Sequence, residues 1–454
     1  MPNRKSVLLA ALSGLALLAG TLGARAETVI QALASAYSNN PQINSARAQT
    51  RADDENVPIA RSGLRPIISA FNTTTGQVTD SNLAADRETF DSVVGLQVTQ
   101  NLFTGFRTLN SIRQSEAGVL ASRELLTNTV QNVLFDAAQA FMDVIRDGEI
   151  LDIRRRNVLF LDEQVRAANE RFDVGENTRT DVAQARARLA TSRAAVSLAE
   201  ANLATNRAVY RRIIGHDPEN LSDGFPFARL VPRALSEAIA LGQNAHPVIL
   251  ASIHQADAQA FIVKQIEGEL LPTVSIEGRV QHAESFDTGS DPNSATITGR
   301  VSIPIYQGGA VSARVRQSKE QYGLRKIEID LARDQVRAAV VSAWAQEEAS
   351  RGAIVAAREG VEAAEIALSG VQEEQRVGQR TTLDVLDAQE EFLLARETLI
   401  IAERDRVVAS FALLSAMGRL TGEALSLPVD IYDPTHHYRE VRGKWYGLRT
   451  PDGR

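Results

Sequence analysis

Residues 171–182 read RFDVGENTRTDV, and residues 376–385 read RVGQRTTLDV. In both, a long charged, alanine-rich run stops at Val-Gly, and another run begins within about four residues. Glycine finishes a helix at least cost because it enters the left-handed region without a Cβ clash, which makes Gly175 and Gly378 helix ends. Thr178 and Thr381 then stand at N-cap positions, with Asp181 and Asp384 three residues on. Thr-x-x-Asp is a variant of the capping box, and its acid also faces the positive end of the helix dipole. Each stretch therefore reads as a tight reversal between two long helices. Capping does not account for Asp387, which lies one turn beyond Asp384 on the same face.

The reversals belong to a repeat that covers most of the chain. Asn40-Pro41 pairs with His246-Pro247, and Leu64-Arg65-Pro66 with Leu270-Leu271-Pro272, at an offset of about 206. Leu102-Phe103-Thr104-Gly105 pairs with Ile305-Tyr306-Gln307-Gly308, Val174 with Val377, and Gly215 with Gly418, at about 203. That period is too long for a solenoid, so the unit is a duplicated, domain-sized one. The first repeat is placed at 27–220 and the second at 221–428, with a tail at 429–454 that has no assigned role. Each repeat is predicted to run helix, strand pair, very long helix, tight turn, helix. The first helix is expected over 28–63, with its copy over 234–268. The long helices are expected over 107–172 and 311–376, each about 100 Å at 1.5 Å per residue. The tips fall at 173–181 and 376–384.

The strand pairs show period two. In TFDSVVGLQVTQNLF, Phe90, Val94, Leu96, Val98 and Leu102 share one parity, against Asp91, Gln97, Thr99 and Asn101. Val274, Ile276 and Val280 alternate with polar residues in the third strand, and Ile297, Val301, Ile303 and Ile305 do so in the fourth. The strands are placed at about 66–79, 89–103, 272–282 and 294–306, the first mainly by the repeat. Polar loops, TDSNLAADRE and AESFDTGSDPNS, join each pair. Such strands suit either a soluble sheet with a wet face or a membrane barrel with lipid on the apolar face. Four strands cannot close a barrel, and open edges cannot face lipid, so a barrel requires several chains to pool strands.

Composition narrows the partners and the chemistry. Arg4 and Lys5 precede an apolar run over 7–22, and Ala24-Arg25-Ala26 supplies a cleavage site, so residues 1–26 read as a secretory signal peptide. Without Arg4, Lys5 and Arg25, Lys+Arg falls from 49 to 46 against 56 acids, a net charge of about −10 that argues against nucleic acid as a partner. No later apolar run approaches the roughly 18 residues of a membrane-spanning helix. With no cysteine, disulfides, thiolate metal sites, cysteine nucleophiles and lipid attachment are excluded. The six histidines lack ligand spacing, adjacent His436-His437 included, and no nucleophile elbow or phosphate loop is present. Neither an enzyme nor a cofactor is expected.

Signal peptide, duplication, strand pairs and the turns VGxxTxxDV and VGQRTTLDVLDAQ together resemble the TolC-like outer-membrane factors, over the mature chain to about residue 427. The resemblance implies a mainly α fold with transmembrane β: a homotrimer sharing a twelve-stranded β-barrel in outer-membrane lipid and a twelve-helix α-barrel across the periplasm. It implies work with a periplasmic adaptor and an inner-membrane ABC or RND pump, in type I protein secretion or drug efflux. It places a pore constriction at Asp384 and Asp387, and gate links at Arg380, Thr180 and Asp181. Val174, Gly175, Thr178, Val377, Gly378 and Thr381 become the tip turns where the adaptor docks. Gln375-Arg376 stands where the family often has an aromatic residue before the second turn. The lack of a lipid-anchoring cysteine leans toward protein secretion. A periplasmic coiled-coil adaptor or scaffold without a pore is the alternative, and it leaves the duplicated strands without a use.

Overall fold

The computed structural model describes residues 26–453 apart from 82–83, 177, 223, 287–288 and 290, with backbone only at 81 and 84–87. The signal segment expected over 1–26 lies outside the described residues but for its last position. The described residues begin with three helices, α1 (Val29–Asn39), α2 (Pro41–Asp54) and α3 (Asn56–Ser62), where one continuous helix is expected. Pro41 causes the first break: it carries no amide proton, and its ring forces Asn40 into extended backbone at φ −63° and ψ 126°. Pro247 does the same to His246, so the copy divides into α6 (Leu235–Ala245) and α7 (Pro247–Glu267). Both prolines then occupy the first helical turn, where a missing N–H costs nothing.

Strands β1 (Ile67–Ser81) and β2 (Ala84–Phe103) run further into the polar loop than the sequence suggests, and β3 (Thr273–Ser285) also lengthens. By contrast β4 (Asn293–Ser302) stops four residues short of the expected 306, because Pro304 cannot donate to the ladder. The four form one antiparallel sheet in sequence order. Register settles which residues share a face. Ile68 lies opposite Val98, Leu96 opposite Val280, and Gly278 opposite both Val98 and Ile297. Ile68, Val94, Leu96, Val98, Ile276, Val280, Ile297 and Val301 therefore form one apolar face, and all are exposed. The opposite face carries Gln97, Glu277, Arg279, Thr298 and Arg300, and the Arg279 guanidinium lies 4.2 Å over the Phe71 ring. The poor alternation in β1 is resolved by its pairing to β2, which aligns Asn72, Thr74 and Gly76 with the apolar parity.

The long helices α4 (Arg107–Asp173) and α8 (Ala310–Arg376) are 67 residues each, about 100 Å of unbroken helix. Gly148 lies within α4 without breaking it. Each is followed after a tight turn by a helix about half as long, α5 (Arg179–Ile214) and α9 (Thr382–Ala416). A short helix, α10 (Thr435–Val441), lies in the tail.

By contact the chain divides into two units that cut across the sequence repeats. One takes the residues through Pro41, Val130–Ala238 and Val340–Asp430, and is helical. Its core includes Leu33, Leu134, Phe141, Tyr210, Phe411 and Leu414, all fully buried. Phe225 and Phe227 meet Phe411 edge to face, with centroids 5.2 and 5.8 Å away. The other takes Gln42–Thr129, Ile239–Ala339 and Ile431–Arg454, and carries the sheet. There the turn from β2 into α4 meets the end of α7 with no room for side chains. A Cβ at Gly105 or Gly268 would lie 2.3 Å from the other's carbonyl oxygen, and Gly105 has φ +62°.

Candidate functional site

The two tips share their turn and their cap. Gly175 and Gly378 take φ +83° and +79°. The next amides turn back onto the helix end: Glu176 donates to the Arg171 carbonyl at 2.8 Å, and Gln379 to the Glu374 carbonyl at 2.9 Å. This is the Schellman arrangement, which satisfies carbonyls that the helix leaves open. Thr178 then caps α5, its amide and hydroxyl both donating to Asp181 Oδ2 at 2.8 Å while the Asp181 amide donates to Thr178 Oγ1 at 3.3 Å. Thr381 and Asp384 repeat the three bonds on α9 at the same distances. Val174 and Val377 project from the turns and are largely exposed.

These bonds set the charge at the tips. The Thr178 amide, and then its hydroxyl, hold the Asp181 carboxyl below the usual carboxylate range. Thr381 does the same for Asp384, with a smaller push from the Arg380 charge. Both aspartates are anionic wherever an ordinary carboxylate is. Arg380 donates from Nε to Glu374 Oε2 at 2.8 Å, and that pairing raises its pKa. Among the described residues Arg380 makes no hydrogen bond to Thr180 or Asp181 within the chain; its partner is Glu374. Thr180 is exposed on the first turn of α5. Gln375, in place of an aromatic, spans the second turn by donating to Thr382 Oγ1 at 3.3 Å.

Asp387 has a partner that the sequence did not suggest. Arg188, two turns into α5, reaches it with Nη2 to Oδ1 at 2.6 Å, tying one hairpin to the other. Apolar contact supports the link. Leu161, Ala168, Val182, Ala185 and Leu189 of the first hairpin form one buried cluster with Leu386 of α9. A polar seam continues along α4 and α9. Gln389 donates to Asn157 at 3.0 Å, Arg154 meets Glu397 at 2.7 Å, and Arg404 meets Asp143 at 2.8 Å. Burial raises the Glu397 pKa, and the Arg154 guanidinium opposes that shift. These partners stand 199 to 261 residues apart in sequence, so no local motif joins them. The signal that could have found them is the spacing of Gln389, Glu397 and Arg404, polar positions seven or eight residues apart on one helix face.

A sheet with one apolar face and two open edges, in a chain of long helices that end in capped tips, fits a channel-forming outer-membrane protein. The chain belongs to the outer membrane efflux protein family, whose model matches residues 32–216 and 240–419. It is 45% identical over 446 residues to the outer membrane efflux protein BepC of Brucella suis, covering 96% of each chain. It is 27% identical to the outer membrane protein TolC of Vibrio cholerae, over 88% of this chain and 93% of that one. The Campylobacter jejuni CmeC outer membrane channel superposes with a TM-score of 0.79 at 16% identity, over 91% of this chain and 89% of that one. The protein is an outer-membrane channel, extending into the periplasm, of the class that serves type I secretion or drug efflux.

Proposed function

We propose that three copies of this chain pool their strands into a twelve-stranded barrel and set six hairpin tips around a periplasmic opening. Substrates would pass from an inner-membrane pump of the ABC or RND class, through a periplasmic adaptor docked on the exposed Val174 and Val377 turns, to the exterior. The name of BepC supports efflux as one of its exports, and the absence of cysteine leaves protein secretion open beside it. The observation that carries the gate is the pair Asp384 and Asp387, one turn apart near the start of α9, of which Arg188 of the other hairpin binds the second. Three chains bring six such carboxylates to one opening, and rings of acid favour cations and hold divalent ions. Arg188–Asp387 is then the intrachain link that must give way when the hairpins part, and half-exposed bridges of this kind release at modest cost, about 0–1 kcal/mol each.

Single-channel recording in planar bilayers tests this reading. Asp384→Ala with Asp387→Ala is expected to lower cation preference several-fold and to weaken block by divalent ions. Arg188→Gln, which leaves Asp387 unpaired, is expected to strengthen both. Unchanged selectivity in the double variant removes the acidic ring from the mechanism.

A further inference from the structure

The channel reading assigns nothing to the tail, yet the tail is firmly held. In α10, His437 is buried, with Nδ1 3.0 Å from Oδ2 of the fully buried Asp54 on α2. The Tyr438 ring lies under the Arg123 guanidinium at 5.1 Å. Past the helix, the backbone is pinned by the two arginines just before β1. Arg61 donates to the Arg442 carbonyl at 3.3 Å, and Arg65 to the Lys444 carbonyl at 2.6 Å. Arg65 also stacks on Trp445 at 4.7 Å. Trp445 is thus fixed beside a residue two positions before Ile67, the first of β1.

The pinned segment presents its apolar side chains outward. Trp445 is 67% and Tyr446 91% exposed, and Leu448 is fully exposed. Arg442, Lys444 and Arg449 stand among them and are exposed too. Ordering large apolar groups in water has an entropic cost and no packing gain, so a surface is expected to cover them. Two features identify that surface. The cluster is held on Arg65, three residues before Ile68, where the apolar face of the sheet begins, and Trp and Tyr collect at the level where hydrocarbon gives way to headgroups. The segment is also basic in an acidic chain: from Arg439 to Asp452, Arg439, Arg442, Lys444 and Arg449 oppose only Glu440 and Asp452, against a net −7 for the whole. Basic side chains near a bilayer surface attract anionic lipid at about 1 kcal/mol each.

We infer that Lys444–Arg449 is an interfacial anchor that lies on the periplasmic-side phospholipid headgroups of the outer membrane. Trp445, Tyr446 and Leu448 enter the headgroup layer, and Arg442, Lys444 and Arg449 engage lipid phosphates. The segment sets the depth at which the foot of the barrel sits. This rests on membrane insertion of the sheet and is independent of the gate.

The chain has two tryptophans, so Trp344→Phe leaves Trp445 as the sole indole reporter in the full-length protein. Reconstituted in phosphatidylethanolamine–phosphatidylglycerol vesicles, its emission is expected to lose at least half its intensity to lipid spin-labelled near the headgroup, and less to lipid labelled deep in the chain. Neutralising Arg442, Lys444 and Arg449 to Gln in that background is expected to reduce the shallow quenching. Quenching by aqueous iodide without quenching by labelled lipid would overturn the anchor in favour of a segment left in water. Protection from both quenchers would overturn it in favour of a protein cover, such as a second copy of this chain. Heat-modifiable migration of each variant on gels confirms that the barrel has formed, so no outcome rests on a misfolded sample.

Discussion

Asp384 shows how one side chain can serve fold and function together. Its carboxylate closes the cap that starts α9 and also supplies charge to the proposed opening. Because the Thr381 bonds depress its pKa, the linkage has a definite sign. The stabilisation it lends the helix start is fully present above the unfolded value near 3.8, and is lost only as pH falls through the lower folded value. The groups facing it at the tip are Arg380 and, through Arg380, Glu374. With Asp387→Asn removing the second carboxylate, cation preference measured by reversal potential should persist on acidification through pH 4 and decay only below 3.8. A midpoint at or above the usual carboxylate value would mean that the like charges gathered in the ring outweigh the cap bonds in the assembled channel. The caps were legible in sequence because glycine, threonine and aspartate follow one another at intervals of three residues. Arg188 was not, because an arginine on a charged helix face carries no mark of the partner it will meet 199 residues away.

Among elements, what is legible depends on whether a local rule sets the boundary. The 67-residue helices α4 and α8 could be placed within a residue because proline is absent and each ends at Val-Gly. The breaks at Asn40 and His246 follow equally local rules, but there helical periodicity resumes at once beyond the proline and masks the discontinuity. Pro304 likewise ends β4 although the alternation runs on past it. Spatial neighbours escape this reading altogether, as the Gly105–Gly268 contact shows. Gly268→Ala places a methyl 2.3 Å from the Gly105 carbonyl oxygen. Both partners are backbone, so the elements themselves must move, at a cost of about 1–3 kcal/mol. Thermal dissociation on gels should occur at a clearly lower temperature for Gly268→Ala, whereas Gly118→Ala, whose methyl meets open space in the interior of α4, should not lower it.

At the scale of the whole molecule, the duplication makes the missing interface calculable. Ala70 lies opposite Leu96 in the first repeat, and Ile276 opposite Gly299 in the second, which are the same positions shifted by about 206 and 203. The repeat therefore preserves register. The junction between repeats, β2 to β3, pairs Gly95 with Gln281 and Leu96 with Val280. If three chains close a barrel, β4 of one must pair with β1 of the next as β2 pairs with β3. Shifting by the same offsets then sets Thr298 opposite Thr75 and Gly299 opposite Thr74 of the adjoining chain. Parity is respected, since Thr74 and Gly299 both lie on the apolar side. The free edges become the only seam left to pair, and no backbone donor remains open to lipid. Because the native chain lacks cysteine, Thr75→Cys with Thr298→Cys introduces the only thiols. A short bifunctional thiol reagent should join this variant into a covalent trimer in membranes, whereas Thr75→Cys with Ser302→Cys, four residues out of register, should remain largely monomeric on denaturing gels. Equal cross-linking of both pairs would show that the barrel closes in another register, or by another symmetry than the one that duplication built into the chain.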